Sequence, residues 1–308
     1  MKIAVIGPGA LGCLLAASLG AANEIWLLDR DPERARQIGN QGIILDENGK
    51  RLNVRVNVSA NSSNVPEVDL VLLCVKSASV SSAINAWMSV VTKGRPLLIA
   101  LQNGIAHLDI LPVAMPGRWA LGVTAQGATL AGPGVVMHRG NGPTRIGFPS
   151  GVTISEEERI QLQRAAAVLS ASGIATETTD DILVHVWNKL LINVGINALT
   201  AIHDCPNGRL LDSPGILKTM QDAVLEGAAV AEALGIRIDR NPVARTIEVC
   251  RATAANVSSM LQDVRRRRKT EIEAINGAVV TKGVKTGVAV PVNEELVRKV
   301  KGIEGGFH

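Results

Sequence analysis

Lys189, Asn193 and Asn197 are the residues whose types and spacing most plainly suggest chemistry. They stand four apart in an otherwise apolar stretch, Trp187 to Leu199. On a helix of 3.6 residues per turn each is displaced about 40° from the last, so they form one polar stripe. An ammonium group sheltered from water is costly unless it is partnered or used. Desolvation lowers its pKa and makes it a readier proton donor. Amides one turn apart can hold a hydroxyl or a carboxylate in fixed geometry. The alternative is a lysine that snorkels to solvent beside amides bonded to backbone. Another amide, Asn207, follows in the turn Cys205-Pro206-Asn207-Gly208.

A second polar group lies further on. Asn256 and Ser259 are three apart and share a helix face if the helical pattern from about 241 to 269 is unbroken. On such a helix Glu271 would lie about 120° round from Ser259 and still reach the same cleft. A solvated glutamate on a charged helix is the plainer reading.

The chain opens on a third constellation, Gly7-Pro8-Gly9-Ala10-Leu11-Gly12. It follows a short apolar run, Ile3 to Ile6, and precedes a helix-like stretch from Ala10 to about Leu19. In that context the first glycine permits a tight turn. The second lets backbone approach a pyrophosphate, and the third lets helix pack on strand. The helix N-terminus then offers unpaired N–H groups and partial positive charge to the phosphates. The next strand, Glu24 to Asp29, ends in Asp29-Arg30. The acid there would accept from a ribose 2′-hydroxyl and suits NAD; the arginine suits the 2′-phosphate of NADP. Lys76 follows a buried strand, Asp69 to Val75, and with Arg30 tilts the reading toward NADP, NAD staying open because of Asp29. Asn103, in Gln102-Asn103-Gly104, follows the strand Pro96 to Leu101, where a doubly wound fold would place it beside a nicotinamide.

The elements that must carry these residues fall into two kinds. Up to about residue 115 apolar strands alternate with helices, which implies a parallel sheet covered on both faces. Gly42–Leu45 and Val54–Val58 read as a peripheral hairpin. Gly- and Pro-rich strands follow at Trp119–Thr124, Gly134–His138 and Thr144–Phe148, then a helix near 156–172 with an acidic first turn. After Thr178–Asp181 the sequence is almost wholly helical, at about 181–201, 214–234, 241–269 and a shorter tail. The expected architecture is an α/β Rossmann-type N-terminal domain, residues 1–179, and an all-α C-terminal domain, residues 180–308.

Bulk properties narrow the function. The 308 residues are 46% hydrophobic, with four Trp, two Phe and no Tyr. The core is therefore aliphatic, and single-stranded nucleic acid lacks stacking platforms. A net charge of +4 suits an anionic cofactor and substrate but not a nucleic-acid surface. The run Arg265–Lys269 reads as a solvated helix face. The four cysteines show no metal or redox spacing, so no metal is expected, and free thiols fit a reducing cytoplasm. No uninterrupted apolar run reaches the ~20 residues that span a bilayer. Cytoplasmic location, no membrane partner and no nucleic-acid partner are the expectations.

The sequence resembles the ketopantoate reductase (2-dehydropantoate 2-reductase) family. The resemblance rests on GPGALG at 7–12, Lys76, QNG at 102–104, WNKLLINVGINALTAI at 187–202, CPNG at 205–208, NVSSMLQD at 256–263 and TEIEAING at 270–277. These cover nearly the whole chain in order. The resemblance implies NADPH-dependent reduction of a keto acid, ketopantoate, to pantoate in pantothenate and coenzyme A biosynthesis. It also implies a C-terminal domain like that of 6-phosphogluconate dehydrogenase. Lys189 would be the general acid for substrate in an interdomain cleft, positioned with the nicotinamide by Asn103. Glu271 would contact the cofactor or steer the lysine. Asn193, Asn197, Asn207, Asn256 and Ser259 would bind substrate. Gly7, Pro8, Gly9, Ala10, Leu11, Gly12, Arg30 and Lys76 would bind NADPH. Gly127 lies in a segment, Thr124–Ala128, implied to line the cofactor pocket, where the family pattern carries a side chain. Another branched 2-keto acid as substrate and a non-enzymatic NADP-binding sensor are the alternatives, and a homodimer is left open.

Overall fold

Uninterrupted runs of Val, Ile and Leu are strands buried on both faces, and they build the centre of the first half. The protein is described from a computed structural model, over residues 1–115 and 118–307. His308, the last residue of the expected second domain, lies outside them. In chain order the first elements are β1 (Lys2–Ile6), α1 (Ala10–Leu19), β2 (Glu24–Leu28), α2 (Pro32–Gln41), β3 (Ile43–Glu47), β4 (Lys50–Val54) and β5 (Asn57–Ser59). There follow β6 (Leu70–Leu73), α3 (Val80–Ala86), α4 (Met88–Thr92), β7 (Leu97–Ala100), α5 (His107–Ala114), β8 (Trp119–Gly132), β9 (Val135–Gly147), α6 (Glu156–Ala171) and β10 (Thr176–Thr178).

The sheet order is β5-β2-β1-β6-β7-β8-β9-β3-β4, with β10 against β9. Every pairing from β5 through β8 is parallel, while β8–β9 and β3–β4 are antiparallel. Winding reverses between β1 and β6, and the crevice beyond those carboxyl ends is where such sheets take ligands. Gly7, Arg30 and Lys76 follow β1, β2 and β6. The expected hairpin is present as β3–β4, but its second piece divides: Asn57–Ser59 leaves it to extend the sheet beside β2. Leu14, Leu15 and Leu19 of α1 pack into the aliphatic core with Ile3, Val5, Leu70 and Leu72. Local signals set the helix starts. Asp31 caps α2, accepting from the N–H of Glu33 and Arg34, with Pro32 in the first turn. Ser155 and Glu158 form a capping box on α6.

The chain divides into two units: Met1–Gln102 with Leu108–Ile182, and Asn103–His107 with Leu183–His308. The second unit is helical, with α7 (Ile182–His203), α8 (Pro214–Ala233), α9 (Pro242–Ala252), α10 (Ser259–Arg265), α11 (Asn276–Thr286) and α12 (Pro291–Gly305). One expectation fails here. Residues 241–269 are two helices, because Ser258 turns its side chain onto the Leu261 N–H and starts a new one. The basic run ends α10 and turns away from it: Arg267 has φ 52°, and Arg265 Nε donates to Asp204 Oδ1 at 2.8 Å. The expected single tail is two helices, α11 and α12.

Close backbone approach holds α7 in place. A side chain at Gly195 would press on Val224, Thr246 and Met220, and Gly227 of α8 leaves room for Leu191. Leu190 and Leu191 are each 1% exposed, and such burial is worth about 1.5–3 kcal/mol per side chain. By length and composition α7 could cross a membrane; in this fold 61% of its apolar window is buried within the protein.

Candidate active site

The glycine loop of the first unit has the geometry its spacing predicts. Gly7 has φ 105°, a conformation L side chains rarely adopt, and its N–H donates to the Leu28 carbonyl at 3.0 Å. A Cβ on Gly12 would overlap the Gly7 carbonyl oxygen and lie 3.3 Å from the Cys74 Cβ. Gly9 is the N-cap of α1, and a Cβ there would meet nothing within 4 Å. Open space thus lies before the N–H groups of the first turn, which have no intrahelical acceptor. A pyrophosphate fits that space and that polarity.

Around the loop, Asp29 is 2% exposed and forms an ion pair with Arg34, Nε to Oδ2 at 2.5 Å and Nη2 to Oδ1 at 2.7 Å. Arg30 is exposed, and its Nη1 donates to Ser82 Oγ of α3 at 3.1 Å. Lys76 is exposed at the start of a single 3₁₀ turn. Gly127 sits in β8 opposite Gly140 of β9.

The second unit gathers the proposed acid and its neighbours. Lys189 is partly exposed as a residue, but burial pushes its pKa from 10.5 down to about 8, with the Glu271 charge opposing the fall. Asn103 donates from Nδ2 to Glu271 Oε2 at 3.2 Å. Glu271 is not on a helix; it stands in the irregular stretch before α11, contrary to the expectation of one continuous helix. That stretch is anchored at several points. Gly104 has φ 75°, and a side chain on it would overlap the Ala274 carbonyl oxygen. The same oxygen accepts from the Ile105 N–H at 3.0 Å. Thr270 Oγ1 donates to Glu304 Oε1 at 2.6 Å. Asn276, fully buried, donates to the Val194 carbonyl of α7 at 3.3 Å and to Asn293 Oδ1 at 3.0 Å. The result is an acid, a carboxylate and an amide held by rigid backbone, an arrangement suited to giving one proton.

Asn193 and Asn197 keep the stripe because α7 runs unbroken through them, with Asn197 buried and Asn193 partly exposed. Asn207 is buried; its Nδ2 donates to Thr253 Oγ1 at 2.8 Å and its N–H to the Asn256 carbonyl at 3.0 Å. Its Oδ1 is buried with no partner among the described residues, so a hydroxyl donor would satisfy it. Asn256 and Ser259 do not share a helix face: Asn256 precedes α10, and both are exposed. The buried serine is Ser258, which meets Thr200 Oγ1 at 2.6 Å. Arg34, Asn276 and Glu226 carry structure that sequence reading missed. Arg34 has a local signal, an arginine in the first turn after Asp29. Glu226, which accepts from the Val292 and Asn293 N–H groups, has none.

Comparison with known proteins identifies the family. The model of "Ketopantoate reductase PanE/ApbA" matches residues 3–151, and that of its C-terminal domain matches residues 181–304. A 2-dehydropantoate 2-reductase of Halobacterium salinarum is 36% identical over 308 residues, covering 98% of each chain. A crystal structure of a PanE/ApbA family ketopantoate reductase from Ralstonia eutropha JMP134 superposes with TM-score 0.90 at 32% identity, covering 100% of this chain and 99% of that one. D-Mandelate dehydrogenase, solved with NADH and anilino(oxo)acetate, also gives 0.90, at 29% identity and the same coverage. The chain is therefore an oxidoreductase of the nicotinamide-dependent kind and belongs to the ketopantoate reductase family.

Proposed function

We propose that the chain reduces 2-dehydropantoate to pantoate with NADPH, the step that feeds pantothenate biosynthesis. The observation that carries this reading is the desolvated Lys189 ammonium, opposed by Glu271, on a chain whose full length matches the family. A reduced nicotinamide supplies hydride to the carbonyl carbon when bound. Lys189 gives its proton to the ketone oxygen, so that no free alkoxide forms, and is left as the neutral amine. With a pKa of about 8 it is mostly charged at neutral pH yet gives its proton more readily than an ordinary lysine. Glu271 keeps the proton on it between turnovers, and Asn103 holds Glu271. Asn193, Asn197 and Asn207 hold the substrate hydroxyl and ketone, and Ser259, with Asn256, its carboxylate. General acid help of this kind contributes typically ~10²–10⁴-fold. Gly7 to Gly12 grip the pyrophosphate, while Arg30 and Lys76 meet the 2′-phosphate. Asn103 and Gly127 also face the coenzyme.

The likeness to D-mandelate dehydrogenase favours one second reading, the same chemistry on another branched or aryl 2-keto acid. The test is a panel of 2-keto acids with purified protein, following NADPH absorbance. The kcat/KM should be highest for 2-dehydropantoate. A tenfold preference for another keto acid would replace it, and coenzyme binding without turnover of any would reject the enzyme.

A further inference from the structure

Asp29 follows β2 directly, where a nucleotide-binding sheet places the acid that accepts from an adenosine ribose hydroxyl. Here that carboxylate is committed elsewhere. Both its oxygens accept from Arg34, through Nε at 2.5 Å and Nη2 at 2.7 Å, and Oδ1 also takes the Asp31 N–H at 3.1 Å. Such a bidentate pair is the strong, directional form of the contact. Arg34 is itself fixed, since its N–H donates to the capping Asp31 side chain at 3.0 Å. The acid is buried, whereas Arg34 is 43% exposed, so the charge turned outward from the pair is the guanidinium. Arg30, next in the chain, is exposed, and among the described residues it is bonded to a neutral partner, the Ser82 hydroxyl at 3.1 Å.

We propose that Arg34 sets coenzyme selectivity by closing Asp29: the pair withdraws the acceptor a ribose 2′-hydroxyl would use and cancels the charge that would repel a 2′-phosphate. This rests on the dinucleotide reading of the glycine loop. Arg34 is on this view a positioning residue, acting through Asp29, and Arg30 is left to meet the phosphate. The aspartate that looks in the sequence like an NAD signal thereby ceases to be one. Unmasked, its charge would stand beside a dianionic phosphate and offset the attraction of Arg30, and like charges at close range in a half-buried site oppose binding.

The experiment uses two adenosine fragments that differ only in the phosphate, adenosine 2′,5′-bisphosphate and adenosine 5′-monophosphate, titrated calorimetrically into the full chain. Arg34→Met should weaken the bisphosphate about tenfold or more while leaving the monophosphate unchanged or tighter. Adding Asp29→Asn to that variant should return the ratio of the two affinities to within about threefold of the parent. Asp29→Asn alone, which keeps Arg34, should bind both fragments at least as well as the parent. An unchanged ratio in Arg34→Met overturns the proposal. So does a double variant that stays weak for the bisphosphate, because Arg34 would then be touching the phosphate directly. Should Arg34→Met fail to fold, the double variant and Asp29→Asn decide: loss of monophosphate binding in Asp29→Asn would make Asp29 a ribose acceptor after all. Neither fragment involves the keto acid, so a substrate other than 2-dehydropantoate leaves this result untouched. Failure of the parent protein to bind either fragment would reject the dinucleotide reading and this proposal together.

Discussion

Replacing Lys189 by methionine keeps most of the length of the side chain and removes its charge, and the stability of that variant should depend on pH in a calculable way. Burial lowers the lysine from 10.5 to about 8 in the folded chain. Between about pH 8 and pH 10.5 the unfolded chain holds a proton that the folded chain has released, so the stability of the parent rises with pH through that window. Below about pH 8 the full cost is present. At about 1.4 kcal/mol per pH unit the fall corresponds to about 3.5 kcal/mol. The methionine variant escapes this cost at pH 7 and gains only about 1 kcal/mol at pH 10, where the folded lysine is already neutral and the pH approaches the unfolded value of 10.5. The stability difference between variant and parent should therefore move by about 2.5 kcal/mol between those pH values, against the variant as pH rises. A cost from leaving Glu271 without its ammonium, if equal at both pH values, drops out of the comparison. Urea denaturation of both proteins at pH 7 and pH 10 measures it. A difference that stays the same within about 0.5 kcal/mol would mean an ordinary, solvated lysine and would refute the reasoning.

Glu271→Gln removes the charge that holds the Lys189 pKa up. The parent should lose kcat/KM for keto-acid reduction as pH rises through about 8, and this variant should lose it at lower pH; an unmoved midpoint in the pH–rate profile would separate Glu271 from the acid. Gly12→Ala places a methyl group on the Gly7 carbonyl oxygen, so NADPH affinity should fall by about tenfold or more, as the loop must open to relieve a hard overlap. Calorimetric titration giving parent-like affinity would contradict the role assigned to that close approach.

Much of this site was legible because its signals are local. The glycine triad, the apolar strand before it and the helix after it lie within one short segment, and backbone sterics leave little choice of geometry. The stripe at Lys189, Asn193 and Asn197 was readable for the same reason, since helical period alone puts them together. What failed was continuity. Residues 241–269 carry no proline or glycine after Pro242 to announce a break, and the break comes from Ser258, whose side chain caps a new helix. That exchanges the exposed Ser259 for the buried Ser258, and Glu271 leaves the helix because α10 ends at Arg265, with Arg267 at φ 52°. Long-range partners were not legible at all. Glu226 holds the start of α12, and Asn276 reaches the Val194 carbonyl on α7; such contacts depend on how helices pack. Arg34 is the intermediate case, near Asp29 in the chain, yet recognisable as its partner only once β2 and α2 are placed.

The most direct test of the account is the rate of the chemical step in Lys189→Ala, measured by single-turnover stopped flow with NADPH and 2-dehydropantoate, beside NADPH affinity in the same variant. The account predicts a fall of ~10²–10⁴-fold in that rate, with affinity for the coenzyme within about threefold of the parent. A rate close to that of the parent, with coenzyme bound normally, would show that the proton comes from another group.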